Sequence, residues 1–114
     1  MHEFRCIKTY DHSVGLSCAF RQWKASSHCR WLHGYALKVG FEFSCHTLDE
    51  RGWVVDFGGL GSLQAWLREQ FDHTVLIAED DPELALFRDL ATRDLIDLRV
   101  VSRTGCEAFA EQCW

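Results

Sequence analysis

From Tyr35 the chain alternates strictly, with Tyr35, Leu37, Val39, Phe41 and Phe43 on one side and Ala36, Lys38, Gly40, Glu42 and Ser44 on the other. Period-two patterning of this kind predicts a half-buried strand, here from His33 to about Cys45. A shorter alternation precedes it, Leu16, Cys18 and Phe20 against Ser17, Ala19 and Arg21, and predicts a strand within Leu16 to Trp23. The polar stretch Lys24 to His28 separates the two, so they are expected to pair antiparallel across a loop that carries His28 and Cys29. Upstream, residues 1–14 read as a first extended segment or leader that ends in the turn-forming Asp11-His12-Ser13 and Gly15.

Past the charged turn His46 to Gly52, Trp53-Val54-Val55 reads as a short returning strand, and the period then changes. Leu60, Leu63, Trp66, Leu67 and Phe71 recur at helical spacing behind Asp56, which is placed to cap the helix, while Asp72-His73 falls where it ends. Thr74 to Ala78 is a brief apolar segment. Asp81-Pro82 has the cap-then-proline order of a second helix start, and that helix is expected to run to about Ala91. Leu98 to Val101 predicts a small strand, and Thr104-Gly105-Cys106-Glu107 has the capping-box pattern for a third helix containing Phe109 and Trp114. That last helix reaches neither a glycine nor a polar end by Trp114, which leads us to expect a C-terminal portion, with further strands, beyond this sequence.

The 114 residues, 47% hydrophobic and 25% charged, fit one α+β domain spanning residues 1–114. Five Trp and eight Phe are a heavy aromatic load for that length and need burial in the monomer or at a subunit interface, which favours a homo-oligomer. A net charge of −5 with no Lys/Arg run argues against a nucleic-acid partner. No apolar run has the length of a membrane span, and Met1-His2-Glu3-Phe4-Arg5 lacks the order of a signal peptide, so a cytoplasmic location is expected. The six cysteines form no C-x-x-C pair, and in a reducing compartment they are expected to be free thiols.

The densest chemistry lies in Ser27-His28-Cys29-Arg30-Trp31-Leu32-His33-Gly34-Tyr35, a thiol and two imidazoles where a loop becomes a strand. A Cys and a His held at fixed separation suit nucleophilic or proton-transfer chemistry. Equally, Cys29 reads as a small core residue and His33 as a satisfied strand-end histidine. Asp72-His73 is either an imidazole oriented by a carboxylate or a helix C-terminus at which His suits the dipole.

The order of these motifs resembles the 6-pyruvoyl-tetrahydropterin synthase and 6-carboxytetrahydropterin synthase family over nearly the whole chain. Leu16-Ser17-Cys18-Ala19-Phe20-Arg21 stands where the family has a strand with Ala-Ala-His-Arg, and Cys29-Arg30-Trp31-Leu32-His33-Gly34-Tyr35 where it has Cys-Gly-x-Leu-His-Gly-His. Trp53-Val54-Val55-Asp56-Phe57, Phe71-Asp72-His73 and Thr104-Gly105-Cys106-Glu107 match the family's strand-end Asp-Phe, its Leu-Asp-His and its Pro-Thr-x-Glu. The resemblance implies the tunnelling fold (T-fold), an antiparallel sheet with helices on one face, assembled as a barrel-shaped hexamer. It implies a pterin substrate and lyase chemistry, most plausibly 6-carboxytetrahydropterin formation from 7,8-dihydroneopterin triphosphate on the route to deazaguanine bases such as queuosine. Carried over, Cys29 is the catalytic thiol, His73 its proton-transferring partner and Asp72 the orienting carboxylate. The family's zinc is held by three histidines, and here those positions read Phe20, His33 and Tyr35, so His33 is the one metal ligand that the resemblance leaves. The departure keeps two other expectations open, a metal-free pterin- or purine-binding module and an oligomeric structural protein on the same fold.

Overall fold

A computed structural model describes residues 2–114 and orders the chain as β1 (Phe4–Tyr10), β2 (Ser17–Phe20), β3 (His33–Ala36), β4 (Val39–Cys45), α1 (Gly61–Phe71), β5 (Thr74–Ala78), α2 (Leu84–Thr92), β6 (Leu98–Val101) and α3 (Cys106–Cys113). The extended segment expected at the start is β1; Met1 lies outside the described residues. The antiparallel pairs are β1–β4 and β2–β3, and β5 and β6 extend the second pair in parallel, giving the order β3-β2-β5-β6.

The strand expected over His33 to Cys45 is two strands. Ser17 lies opposite Ala36 and Tyr10 opposite Val39, so residues 11–16 face only Leu37 and Lys38. The excess chain forms a tight turn at His12–Val14 and leaves Gly15 and Leu16 at positive φ, 104° and 63°. That bend parts the strands, sending β4 to β1 and β3 to β2. Trp53-Val54-Val55 is not a strand: Asp49 Oδ1 accepts the Arg51 and Trp53 amides, and the Trp53 carbonyl accepts the Asp49 amide. The backbone groups of Trp53 are thus satisfied inside the turn rather than in a ladder.

Asp56 does cap, accepting the Gly58 amide at 2.9 Å, but it caps a 3₁₀ turn over Phe57–Gly59, and α1 begins only at Gly61. Paired glycines gain too little on fixing their backbone to hold a regular first turn. The capping box at Thr104 is not formed: the Thr104 hydroxyl donates to the Arg21 carbonyl at 2.6 Å, and α3 starts after Gly105 with no side-chain cap. Asp81 accepts the Glu83 amide at 2.9 Å, and α2 starts two residues past Pro82.

The core is built where β2 meets α1 and α3. Leu16, Cys18, Phe20, Leu67, Phe71, Leu76 and Phe109 are buried in one cluster, with Phe109 edge-on to Phe20 at 4.9 Å and tilted against Phe71 at 5.3 Å. Such aromatic pairs add about 0.5–1.5 kcal/mol each beyond their area burial. α2 lies against β5 and β6. The β1–β4 pair projects from this body: the molecule measures 52 × 29 × 21 Å, and its radius of gyration of 17.1 Å exceeds the value of about 13 Å expected for a compact domain of this length.

Candidate functional site

β2 organises the candidate residues, with one set at each of its ends. At its start, the turn after α1 swings His73 into the left-handed region, φ 59°, and the His73 amide donates to the Ser17 carbonyl at 2.6 Å. Asp72 caps α1 through its own amide to the Arg68 carbonyl and turns its carboxylate inward, where Oδ1 accepts the Ser17 amide at 3.3 Å. The same oxygen lies 3.0 Å from His73 Nδ1. The ring thus stands beside a carboxylate with its side chain 84% exposed, and Nε2 faces away from that neighbour. An exposed imidazole beside a quarter-exposed carboxylate is of the kind that moves protons.

Sequence reasoning missed Gly15. A Cβ on Gly15 would sit 2.7 Å from the Asp72 carboxyl carbon, and its φ of 104° lies in the region only glycine occupies without strain. The glycine lets the Asp72 carboxylate reach the start of β2. In the sequence, Gly15 two residues past Asp11-His12-Ser13 signals only a turn.

At the other end of β2, Ser27 accepts the Cys29 amide at 3.3 Å and opens a 3₁₀ turn over His28–Arg30. The Gln22 amide donates to the Cys29 carbonyl at 2.8 Å, and Arg21 reaches the Arg30 carbonyl at 3.4 Å, so the Cys29 turn is tied to the residues that leave β2. Arg21 is itself clamped: Nε and Nη2 donate to the two oxygens of Asp81 at 2.7 and 2.6 Å, and the Asp81 side chain is fully buried. These bonds hold the Asp81 carboxyl below its ordinary range and the Arg21 guanidinium above its own. No sequence pattern links residues 21 and 81.

His33 and Tyr35 enter from β3, opposite Phe20 and Cys18. The Tyr35 ring stacks on Phe20, centroids 4.0 Å apart and planes 13° off parallel, and the His33 ring lies 4.5 Å from Tyr35. His33 Nδ1 is 2.8 Å from the Trp31 carbonyl, an acceptor, so Nδ1 bears the proton and Nε2 is free. Burial first, and then the thiols of Cys29, Cys106 and Cys18, raise the Tyr35 phenol and keep it protonated. Burial, with Asp72 contributing, pushes the Cys18 thiol up to about 11, so Cys18 is a core residue.

The zinc implied by the family resemblance does not fit these residues. Of the three positions, only that of His33 holds an imidazole, with its Nδ1 hydrogen-bonded in the manner of a metal ligand. The other two positions hold a buried phenyl ring and a protonated phenol stacked on it, and among the described residues no three His, Cys, Asp or Glu side chains converge. Arg99 and Arg103 are engaged with Asp97 and Glu111 respectively.

Within one copy of the chain, then, Asp72 and His73 stand at the start of β2 and the Cys29 turn and His33 at its far end, with the Tyr35 backbone between them opposite Cys18. From Ser17 to Phe20 the strand covers about 10 Å at about 3.3 Å per residue, and the Cys29 turn lies beyond that.

Comparison with known proteins places this arrangement. The chain is 33% identical over 81 residues to the 6-carboxy-5,6,7,8-tetrahydropterin synthase of Rickettsia conorii, and 35% identical over 81 residues to that of Rickettsia bellii. In both cases the match covers 70% of this chain and 56% of the relative, so the chain spans about half the length of the curated relatives it matches. A solved structure of an uncharacterized protein from Wolinella succinogenes superposes with a TM-score of 0.66 at 26% identity, over 82% of this chain and 55% of that one. The sequence profile of the 6-pyruvoyl tetrahydropterin synthase family matches residues 9–114, and with this T-fold geometry the chain belongs to that family.

Proposed function

We propose that this chain is the thiol- and imidazole-bearing part of a 6-carboxytetrahydropterin synthase-type lyase that acts on 7,8-dihydroneopterin triphosphate, on a deazaguanine or queuosine route. The observation that carries the reading is the Asp72–His73 pair, an exposed imidazole 3.0 Å from a carboxylate that Gly15 and Ser17 hold in place, in the stretch that resembles the family's Leu-Asp-His. Removing and returning protons beside a carbinol needs groups that both give and take a proton, and a thiol and an imidazole, Cys29 and His73, are of that kind. Asp72 is the carboxylate placed to orient that imidazole.

Because Cys29 and His73 lie at opposite ends of β2, a pterin held between them takes one group from each of two copies, as a homo-oligomer, a hexamer by family resemblance, would provide. Support for assembly comes from the projecting β1–β4 pair. An isolated two-stranded ribbon is marginal in water, and this one leaves Ile7 66% exposed, with Trp53 and Phe57 exposed beside it. No helix among the described residues is long and apolar enough to cross a membrane, and we place the protein in the cytoplasm.

The alternative, a metal-free pterin- or purine-binding module, is motivated by Phe20 and Tyr35 at the metal positions. Incubation of the full-length protein with 7,8-dihydroneopterin triphosphate, followed by chromatography of the pterin products, separates the two. The enzyme reading expects turnover that Cys29→Ala and His73→Ala each reduce at least about a hundredfold, the range of a lost acid–base group. Turnover untouched by both substitutions refutes it, and tight pterin binding without turnover favours the module.

A further inference from the structure

The disagreement between the family's metal and this chain's side chains is specific enough to read as a replacement. Three features coincide at the end of the β2–β3 pair. The Phe20 ring, 2% exposed, fills one ligand position and is pinned by Phe109. Tyr35 fills the second, held flat on Phe20 with its polar end as its only hydrogen-bonding group. His33 occupies the third with Nδ1 already committed to the Trp31 carbonyl and Nε2 open. A metal site would need imidazoles aimed at a common point, whereas a stacked ring pair puts hydrocarbon there and leaves one hydroxyl and one ring nitrogen at its rim.

We propose that this chain works without a metal at that position, and that the Tyr35 hydroxyl and His33 Nε2, a donor and an acceptor on neighbouring rings, take the contacts to the ligand's oxygen substituents that coordination makes elsewhere in the family. The hydroxyl is protonated at neutral pH on the ordinary value of a phenol, so it donates. Nε2 accepts, because Nδ1 holds the proton. The class of ligand is a vicinal diol or hydroxy-ketone, whose paired oxygens can accept from Tyr35 and donate to His33. The ligand assignment rests on the pterin reading above, and the absence of metal binding does not.

The test uses the full-length protein purified without chelator, then equilibrated with zinc and desalted. Elemental analysis is expected to find well under one zinc per protomer, at a level that His33→Ala leaves unchanged. A stoichiometric zinc that His33→Ala releases overturns the metal-free site, whatever the substrate proves to be. Tyr35→Phe keeps the stack and removes only the hydroxyl. It is expected to hold the melting temperature and to weaken binding of 7,8-dihydroneopterin, followed by its fluorescence, by about tenfold, the worth of one hydrogen bond. Unchanged affinity overturns the Tyr35 contact. A wild type that binds no dihydroneopterin overturns that contact together with the pterin reading, and the zinc content then still decides whether the position is metal-free.

Discussion

Arg21→Met should be among the most damaging single changes outside the aromatic core. Arg21 gives two charge-assisted bonds to a carboxylate whose side chain has no solvent exposure, so removing it strands Asp81 with the Glu83 amide as its remaining donor. Breaking a buried pair from one side costs about 3–5 kcal/mol, a large part of the roughly 5–15 kcal/mol that holds an ordinary domain together. Asp81→Asn keeps the shape and the Glu83 cap but loses the charge, and should cost about 1.5–3 kcal/mol. The double variant has no buried charge left to strand, and its loss should be clearly smaller than the sum of the two single losses. Guanidinium unfolding followed by tryptophan fluorescence, at one fixed protein concentration, measures the cycle.

The sign with pH follows from the depressed Asp81 carboxyl. Its pairing contributes fully above the unfolded value of about 3.9 and is lost as pH falls through the lower folded value. In Arg21→Met the stranded carboxyl is pushed up instead, so the gap between wild type and variant should be widest at about pH 7 and narrow below about pH 4. A penalty under about 1 kcal/mol, or one of equal size at both pH values, would refute the account, because a buried unpaired charge has to show both.

Two further outcomes follow from the same geometry. Gly15→Ala forces a Cβ onto the Asp72 carboxylate at a positive φ and should cost at least about 1–2 kcal/mol by denaturant unfolding, with larger losses in any turnover that depends on His73. Cys18, buried and titrating at about 11, should resist iodoacetamide at about pH 8 in the native protein while the exposed Cys106 labels, as peptide mass spectrometry would read; equal labelling of both would contradict the core placement.

What the sequence carried was the local part of the fold. The alternation in Leu16–Phe20 and from His33 onward located β2, β3 and their pairing, and Asp56, Asp72 and Asp81 were read at turns and caps because a cap acts within a few residues. The break at Leu37–Lys38 was invisible because the alternation runs through it in phase: Tyr35, Leu37, Val39 and Phe41 all pack toward the core. Its cause lies in residues 11–16, on the strands' partners. Thr104 failed as a cap for a related reason. Its hydroxyl found the Arg21 carbonyl, 83 residues away in sequence, and a long-range acceptor outweighed the local pattern. The site divides in the same way: the Asp72–His73 contact is local and was legible, whereas Gly15 beneath Asp72 and Asp81 behind Arg21 are contacts that only tertiary structure makes.

That division has a consequence for catalysis. β2, β5 and β6 run parallel, so their carboxyl ends share one edge, where Arg21, Asp81, Thr104 and the Cys29 turn meet the start of α3. Asp72–His73 is fixed at the opposite end, by the first residue of β2. No side-chain rotation closes a strand's length, so within one copy the thiol and the imidazole do not converge on one reacting atom. If both act, each site joins the carboxyl end of one β2 to the amino end of another, and activity belongs to the assembly. Cys29→Ala and His73→Ala, each inactive alone, should then complement after co-refolding. In a random equal mixture, about a quarter of the interfaces pair an intact thiol with an intact imidazole, so about a quarter of wild-type turnover should return. Mixed oligomers that remain inactive, although mass spectrometry confirms subunit exchange, would show that the two groups do not share a site.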